Sequence, residues 1–369
     1  MPVTSPPPPL RLVFWELTAR CNLKCQHCRA EAQDDYAEGE LSTEEVLAAA
    51  DAIRAAGDPI VILTGGEPLV RHDIFTIAEH CVDRFSRVAL ATNGTQVDAA
   101  MARRIADVGI KRVSISLDGA QPAVHDAFRG QLGCHQAAMS GIDALRTANV
   151  PLQINTTVTR DNENELPSLL QLALDLKVSA FHLFMLVPVG CGAEISDDKR
   201  LTPERFEEVL VWLAHKTQEL QGRLQIKATC APQYYRIIHE MGLKPTAPPP
   251  GHGHGGGRPG GHGMNAHTRG CLAGSSVCFI SRTGDIQPCG YLPVSAGNIR
   301  TRAFEDIWSG SELFQQLRDP TSLKGKCGAC GYRVLCQGCR ARAYAETGDA
   351  FAEEPDCPYN PLESGGPPP

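Results

Sequence analysis

The sequence predicts an α/β protein, a partial (β/α)6 TIM-like barrel followed by a small cysteine-rich domain. Two observations predict it. Between Arg11 and Lys227, short apolar, β-branched runs alternate with amphipathic stretches, as in βα units around a parallel sheet. Beyond a Pro-, Gly- and His-rich stretch, the segment from Cys271 to Cys357 carries eight cysteines among many turn residues, so metal rather than apolar burial alone is expected to hold it together.

The expected strands are Leu12–Leu17, Ile60–Leu63, Val88–Ala91, Arg112–Leu117, Leu152–Val158 and Ala180–Leu186. Ser42 with Glu45 reads as a capping box, and Thr202 followed by Pro203 places proline at a first helical position. The expected division is a disordered N-terminus over 1–10, the barrel over 11–228, a connecting segment over 229–270, the cysteine-rich domain over 271–360 and a flexible tail over 361–369. The connecting segment contains a linker (PTAPPPGHGHGGGRPGGHGMNAHTRG) whose composition cannot bury a core. Its His252, His254, His262 and His267 read as part of that linker rather than as a metal or heme site.

With 42% hydrophobic and 21% charged residues among 369, the chain has an ordinary globular composition. A formal charge of −7 argues against nucleic acid and anionic membranes as partners. No charged and apolar leader is recognisable in the first ten residues and no stretch approaches a membrane span, so a reducing, cytoplasmic location is expected. There, fifteen cysteines with CxxC spacings point to metal rather than disulfides.

Cys21, Cys25 and Cys28 form CxxxCxxC directly after the first strand. Three thiolates so spaced suit three irons of a [4Fe–4S] cube with the fourth iron open, or alternatively a zinc site completed by His27. CNLKCQHC after one strand and GGEP (Gly65–Pro68) after the next resemble the radical S-adenosylmethionine (radical SAM) superfamily. The resemblance implies that Cys21, Cys25 and Cys28 hold the radical-generating cluster, whose open iron binds the amino and carboxylate groups of the cofactor. It implies that Gly65, Gly66 and Glu67 form the turn holding the cofactor amino group, with glycine letting the backbone approach a ligand. It places Ser116 and Asp118 of SISLDG at the cofactor ribose and Arg129 of HDAFRG at its carboxylate, with Asn93 of ATNG and the Leu186–Pro188 turn as further cofactor contacts.

The C-terminal pattern Cys271-x6-Cys278-x10-Cys289, then Cys327-x2-Cys330-x5-Cys336-x2-Cys339-x17-Cys357, is similar to the SPASM auxiliary-cluster domain. It departs in one respect, a Cys336–Cys339 spacing one residue shorter than usual. The resemblance implies one auxiliary [4Fe–4S] cluster on Cys271, Cys278, Cys289 and Cys339 and another on Cys327, Cys330, Cys336 and Cys357. From spacing alone, a zinc module at Cys327–Cys339 stays open, and with it a zinc-binding scaffold without enzymatic activity. Cys81, Cys134, Cys191 and Cys230 read as small core residues, and Cys230 in KATCAP is the one to watch.

Only about ten residues precede the first strand, which leaves no room for a peptide-recognition domain and favours a small substrate. FWELTARCNLKCQHCR, KATCAPQYYR, CFISRTGDIQPCGYLPVSAGNIR and CRARAYAETGDAFAEEPDC together resemble the radical heme synthases of the siroheme-dependent pathway. That resemblance implies oxidative decarboxylation of two propionates of iron-coproporphyrin III to vinyl groups, forming heme b, with a ferredoxin or flavodoxin as electron donor. A heme d1-type tetrapyrrole reaction and peptide maturation are the alternatives. Arg29, Arg160, Lys227, Tyr234, Tyr235 and Arg236 are the expected substrate-side residues, because arginine, lysine and hydroxyl groups orient carboxylates.

Overall fold

The computed structural model describes residues 7–243 and 270–361, so the His/Gly-rich linker with its four histidines, residues 1–6 and the tail beyond 361 lie outside the described residues. All six expected strands form: β1 (Leu12–Glu16), β2 (Ile60–Thr64), β3 (Val88–Thr92), β4 (Arg112–Ser116), β5 (Leu152–Val158) and β6 (Ala180–Met185). Between and after them run α1 (Thr43–Ala56), α2 (Ile74–Arg84), α3 (Ala99–Val108), α4 (Pro122–Arg129), α5 (Cys134–Thr147), α6 (Leu166–Asp175), the single turns α7 (Cys191–Glu194) and α8 (Ser196–Lys199), and α9 (Pro203–Glu219). The capping box at Ser42 closes both ways, Ser42 Oγ accepting from Glu45 N at 3.3 Å and Glu45 Oε2 from Ser42 N at 2.8 Å. Thr202 caps α9 with Pro203 in its first turn.

A seventh parallel strand, β7 (Gln225–Thr229), extends the barrel beyond β6 and crosses the expected boundary at residue 228. Its inner face carries Gln225, Lys227 and Thr229, so only Ile226 and Ala228 alternate as apolar residues and the strand signal is weak. After β7 comes α10 (Gln233–Glu240), most of whose residues are buried.

The cysteine-rich lobe is joined to the barrel by one sheet. It contains β8 (Val277–Ile280), β9 (Asp285–Gln287), β10 (Gly297–Asn298), α11 (Phe304–Gly310), α12 (Glu312–Arg318), α13 (Gly325–Ala329) and α14 (Arg340–Thr347). β8 pairs parallel with β1, Leu12 opposite Val277, giving the strand order β10-β9-β8-β1-β2-β3-β4-β5-β6-β7. Arg300 straps the junction, donating to Glu45 Oε1 at 2.7 Å and to Gly39 O at 2.9 Å. The expected disorder of residues 1–10 does not extend to 7–10: Leu10 is buried, and Pro8 O accepts from Trp308 Nε1 at 3.3 Å.

The outward faces of the strands, with Val13, Trp15, Val61, Leu63 and Val113, meet the helices in one apolar cluster. The inward faces differ from the branched apolar filling usual in (β/α)8 barrels. Ser114, Ser116, Gln153, Asn155, His182 and Lys227 line up there in register. Such a polar interior leaves the barrel available for ligands. Among the described residues no helix is long and apolar enough to cross a membrane.

Candidate functional site

The loop after β1 presents Cys21, Cys25 and Cys28 at the C-terminal ends of the strands, where parallel barrels place their chemistry. Backbone bonds hold it: Cys21 N to Gln33 O at 2.9 Å, Gln26 N to Phe128 O at 3.1 Å, and Cys191 N to Cys28 O at 3.0 Å. Glu40 Oε1 gathers the amides of Ala19 (2.6 Å) and Ala37 (3.0 Å). The three thiols open onto one cavity of about 180 Å³, walled also by Gly65, Gly66, Asn93, Ser116, Arg129, Asn155, Thr157, Phe184 and Tyr291. Burial pushes the Cys21 thiol up to about 12 and also raises that of Cys25. Thiols so reluctant to ionise alone are converted to thiolates when a metal replaces the proton. Cys21, Cys25 and Cys28 together on the wall of one partly polar cavity fit a cluster with one open iron.

The glycines of GGEP also make a contact that the sequence did not indicate, with the cysteine loop. A Cβ on Gly66 would lie 2.4 Å from Arg20 O and 2.5 Å from Ala19 O, so glycine lets this turn lie against the cysteine loop, with Gly66 N donating to Thr18 O at 2.7 Å. Gly130, at φ +72°, likewise faces Lys24 O, 2.4 Å from where its Cβ would sit. Gly66→Ala is expected to cost about 1–3 kcal/mol through overpacking and to shed iron from the N-terminal site alone. Iron analysis and the thermal midpoint check this; full iron loading at wild-type stability would show that the loop can shift.

Two residues of the expected cofactor set turn their carboxylates away from the cavity. Glu67 is fully buried, accepting from Thr92 Oγ1 and Asn93 N at 2.7 Å each and from Leu69 N at 3.1 Å. It staples β2 to β3, leaving only its backbone at the turn. Asp118 is fully buried too, its Oδ2 receiving Arg129 Nε at 2.6 Å and its Oδ1 receiving Thr157 N at 2.7 Å. Burial pushes Asp118 up, but Arg129 together with His27, His125 and the Thr157 amide outweighs it and holds the carboxyl below its ordinary range. Asp118 therefore positions Arg129, whose Nη1 reaches Cys25 Sγ at 3.6 Å. Asn93 Nδ2 lies 3.9 Å from Cys21 Sγ and donates to Asn22 Oδ1 at 2.9 Å. Gly65, Gly66, Asn93, Ser116 and Arg129 are thus brought together on the cavity wall. The Leu186–Pro188 turn is taken by the second lobe, Leu186 O accepting from Arg342 Nη2 at 3.2 Å.

The substrate-side expectations separate sharply. Arg29 is on the cavity wall, paired with Glu16 at 2.9 Å and lying 4.6 Å above the Phe279 ring. Lys227 points into the barrel one layer below. Arg160 is exposed and bonds Asp198 O at 3.3 Å. Tyr234 is a core residue whose hydroxyl donates to Thr217 Oγ1 at 2.9 Å, with the partly buried Tyr235 packed edge-on beside it. Arg236 is 3% exposed, paired with Glu207 and with Glu240 (2.6 Å), and faces the second cysteine set. The strand and helix period rotates these four away from the barrel cavity, so they leave the substrate list.

In the second lobe, Cys327, Cys330, Cys336 and Cys357 share one cavity, the grouping that the resemblance to the SPASM domain implied. The other set changes. Cys278 is fully buried in the apolar cluster on the outer face of β8, and burial alone raises its thiol. Cys230 takes its place beside Cys339, Cys289 and Cys271, whose charges add to burial in raising its thiol. Cys230 sits at φ +57°, a conformation that a non-glycine residue holds only where its surroundings enforce it. Arg342, fully buried, enforces it: Nη2 donates to Cys230 O at 2.9 Å, Nη1 pairs with Glu354 at 3.1 Å, and Nε pairs with Asp356 at 2.9 Å. Glu354 in turn accepts from Cys339 N at 2.5 Å. The short Cys336–Cys339 spacing also finds its reason. Gln337 (φ +66°) and Gly338 (φ +62°) are both left-handed, turning the chain so that Cys336 faces one set and Cys339 the other. Of the remaining cysteines, Cys81 is buried core, Cys134 Sγ bonds Asp126 Oδ1 at 3.3 Å, and Cys191 adjoins Cys28.

Residues 15–173 match the radical SAM superfamily, and residues 271–339 match the SPASM iron–sulfur cluster-binding domain. An AdoMet-dependent heme synthase from Methanosarcina barkeri is 46% identical over 95% of this chain and 97% of its own length. A pre-heme d1 synthase from Dinoroseobacter shibae is 33% identical over 97% and 88%. Among solved structures, Streptococcus suis SuiB bound to S-adenosylmethionine shares the fold, with a TM-score of 0.72 at 17% identity over 95% of this chain and 77% of that one. The protein is accordingly an enzyme, whose barrel binds a [4Fe–4S] cluster and S-adenosylmethionine and whose SPASM domain binds auxiliary iron–sulfur. With its cysteine loop, barrel cavity and second cysteine lobe, the chain belongs to the SPASM-bearing radical SAM family that includes the AdoMet-dependent heme synthases.

Proposed function

We propose that this enzyme decarboxylates two propionates of iron-coproporphyrin III to vinyl groups, forming heme b. The observation that carries this reading is the shared wall between the two lobes. Tyr291 lines the cavity of Cys21, Cys25 and Cys28, and its hydroxyl, raised first by burial, also feels Cys230 and Cys289. A substrate in the cavity is thus within one side chain of an electron acceptor, which an oxidative decarboxylation needs and a redox-neutral reaction does not. The 46% identity to a heme synthase supports the substrate class.

In this reading Cys21, Cys25 and Cys28 hold the radical-generating cluster. Cys230, Cys271, Cys289 and Cys339 hold one auxiliary cluster and Cys327, Cys330, Cys336 and Cys357 the other. When bound, the first cluster and S-adenosylmethionine would supply a radical able to take a propionate hydrogen, and an auxiliary cluster would supply an acceptor for the electron left on decarboxylation. The chain's own groups orient and shield. Asn93, Ser116, Arg129 and the Gly65–Gly66 backbone hold the cofactor, Asp118 fixes Arg129, and Arg29, charge-paired with Glu16, closes the wall toward the second lobe. Residues 7–243 act as the radical lobe and 270–361 as the electron-accepting lobe, in a reducing cytoplasm with a ferredoxin or flavodoxin as donor.

Anaerobic incubation with iron-coproporphyrin III, S-adenosylmethionine and a strong reductant is expected to yield heme b and two 5′-deoxyadenosines per heme, read by chromatography and mass spectrometry. Deoxyadenosine without any change in the porphyrin would reassign the substrate.

A further inference from the structure

One row of registered residues crosses the inner face of the barrel from β4 to β7: Ser116, Asn155, His182 and Lys227. Ser116 and Asn155 belong to the cavity wall. His182 carries a buried ring nitrogen without a partner, and Lys227 is half-buried beside it.

His182 is 93% buried (7% exposed), and its Nδ1 stands 3.0 Å from Gln153 Nε2. That amide also donates to Asn155 Oδ1 at 2.7 Å, so it is oriented as the donor and His182 Nδ1 as the acceptor. The neutral ring therefore carries its proton on Nε2, and Nε2 has no partner. Burial, then the neighbouring Lys227 and Arg112 cations, hold the imidazole well below its ordinary pKa, which keeps it a neutral donor. Thr229 Oγ1, two residues beyond Lys227 on the same face, is buried without a partner as well.

Lys227 has no hydrogen-bond or ion-pair partner among the described residues, and burial lowers its ammonium pKa against the opposing pull of the Cys230 sulfur. The acids nearest the cavity are already engaged, Glu16 by Arg29 and Arg282 and Asp118 by Arg129. Lys227 is half-buried and the Cys230 sulfur offsets only part of the burial, so a cation drawn part-way out of water is stabilised when an anion arrives. A carboxylate matches this set: one oxygen pairs with the ammonium and the other accepts from imidazole and hydroxyl donors. Three inter-strand steps separate Lys227 from Ser116, roughly 14 Å, so a group held at Lys227 lies well clear of one reacting at the cysteine end of the cavity.

The geometry points to the His182–Lys227 row as an anion subsite that takes a carboxylate of the substrate other than the one being oxidised, with Thr229 beside it. This rests on the tetrapyrrole reading and adds to it: the subsite determines which propionate is presented for reaction. His182, Lys227 and Thr229 are positioning residues in this scheme.

The test uses the cluster-loaded enzyme without reductant, titrated with iron-coproporphyrin III by Soret absorbance and separately with S-adenosylmethionine by calorimetry. Lys227→Met is expected to weaken porphyrin binding about 10- to 100-fold, the scale of a hydrogen bond to a charged group, while cofactor affinity and iron content hold. Lys227→Arg should recover most of the loss, and His182→Phe should weaken the porphyrin alone by a smaller factor. The thermal midpoint of Lys227→Met without porphyrin should hold or rise, because the variant removes a half-buried ammonium with no hydrogen bond or ion pair among the described residues, whereas a lysine with a merely structural role would lower it. Wild-type porphyrin affinity in Lys227→Met, or a fall in its midpoint with affinity intact, overturns the subsite and leaves the reaction standing. Failure of the wild-type enzyme to bind iron-coproporphyrin III overturns the tetrapyrrole reading, and the subsite with it.

Discussion

Replacing Cys25 with alanine is expected to abolish 5′-deoxyadenosine formation and to remove about four irons per chain while the second lobe keeps its own. The thiol lies on the cavity wall with Arg129 Nη1 3.6 Å away, sharing that wall with Cys21 and Cys28. The loss should exceed about a hundredfold, the scale already reached when partners behind a metal ligand are removed. Anaerobic iron analysis, electron paramagnetic resonance of the reduced protein and a deoxyadenosine assay report it together. Substantial deoxyadenosine from a Cys25→Ala enzyme with full iron would remove this loop from the radical chemistry.

The contrast between Cys230→Ala and Cys278→Ala carries the second large effect. Cys230 stands among Cys271, Cys289 and Cys339, so its loss should take one auxiliary cluster, about four irons, and leave cofactor cleavage unable to yield heme. Cys278 is surrounded by apolar side chains, and its replacement should cost about 1 kcal/mol of stability with iron and turnover unchanged. The reverse pattern, iron lost from Cys278→Ala and kept in Cys230→Ala, would return the ligand set to the one that the family resemblance implied. Substitution of Arg342 offers an independent check, since its guanidinium ties Cys230 O to Glu354, and Glu354 to Cys339 N.

The buried carboxylates show why motif residues and contact residues are different sets. Glu67 and Asp118 belong to strings that mark the family, yet both point into hydrogen-bond networks behind the cavity. A string records that a residue is required at a position. It does not record the direction of the side chain, which follows from the strand ends and from whichever amides lie within reach. The same holds for Arg236 and Tyr234, whose helix turns them toward Glu207 and Thr217.

What the sequence determined by itself was local. Six strands, two helix caps and the three-cysteine loop were legible because periodicity and short spacing act within one element or one turn, while the set of Cys327, Cys330, Cys336 and Cys357 followed only from the family resemblance. Tertiary structure alone decided the pairing of β8 with β1, the polar row ending at Lys227, and the exchange of Cys278 for Cys230. Each of these joins residues far apart in the chain. In β8 the alternation of faces turns Cys278 into the apolar layer while neighbouring residues face the barrel, and at the end of β7 the Arg342 network holds Cys230 in a left-handed conformation toward the second lobe. Those directions are set by packing between elements, which linear spacing does not encode.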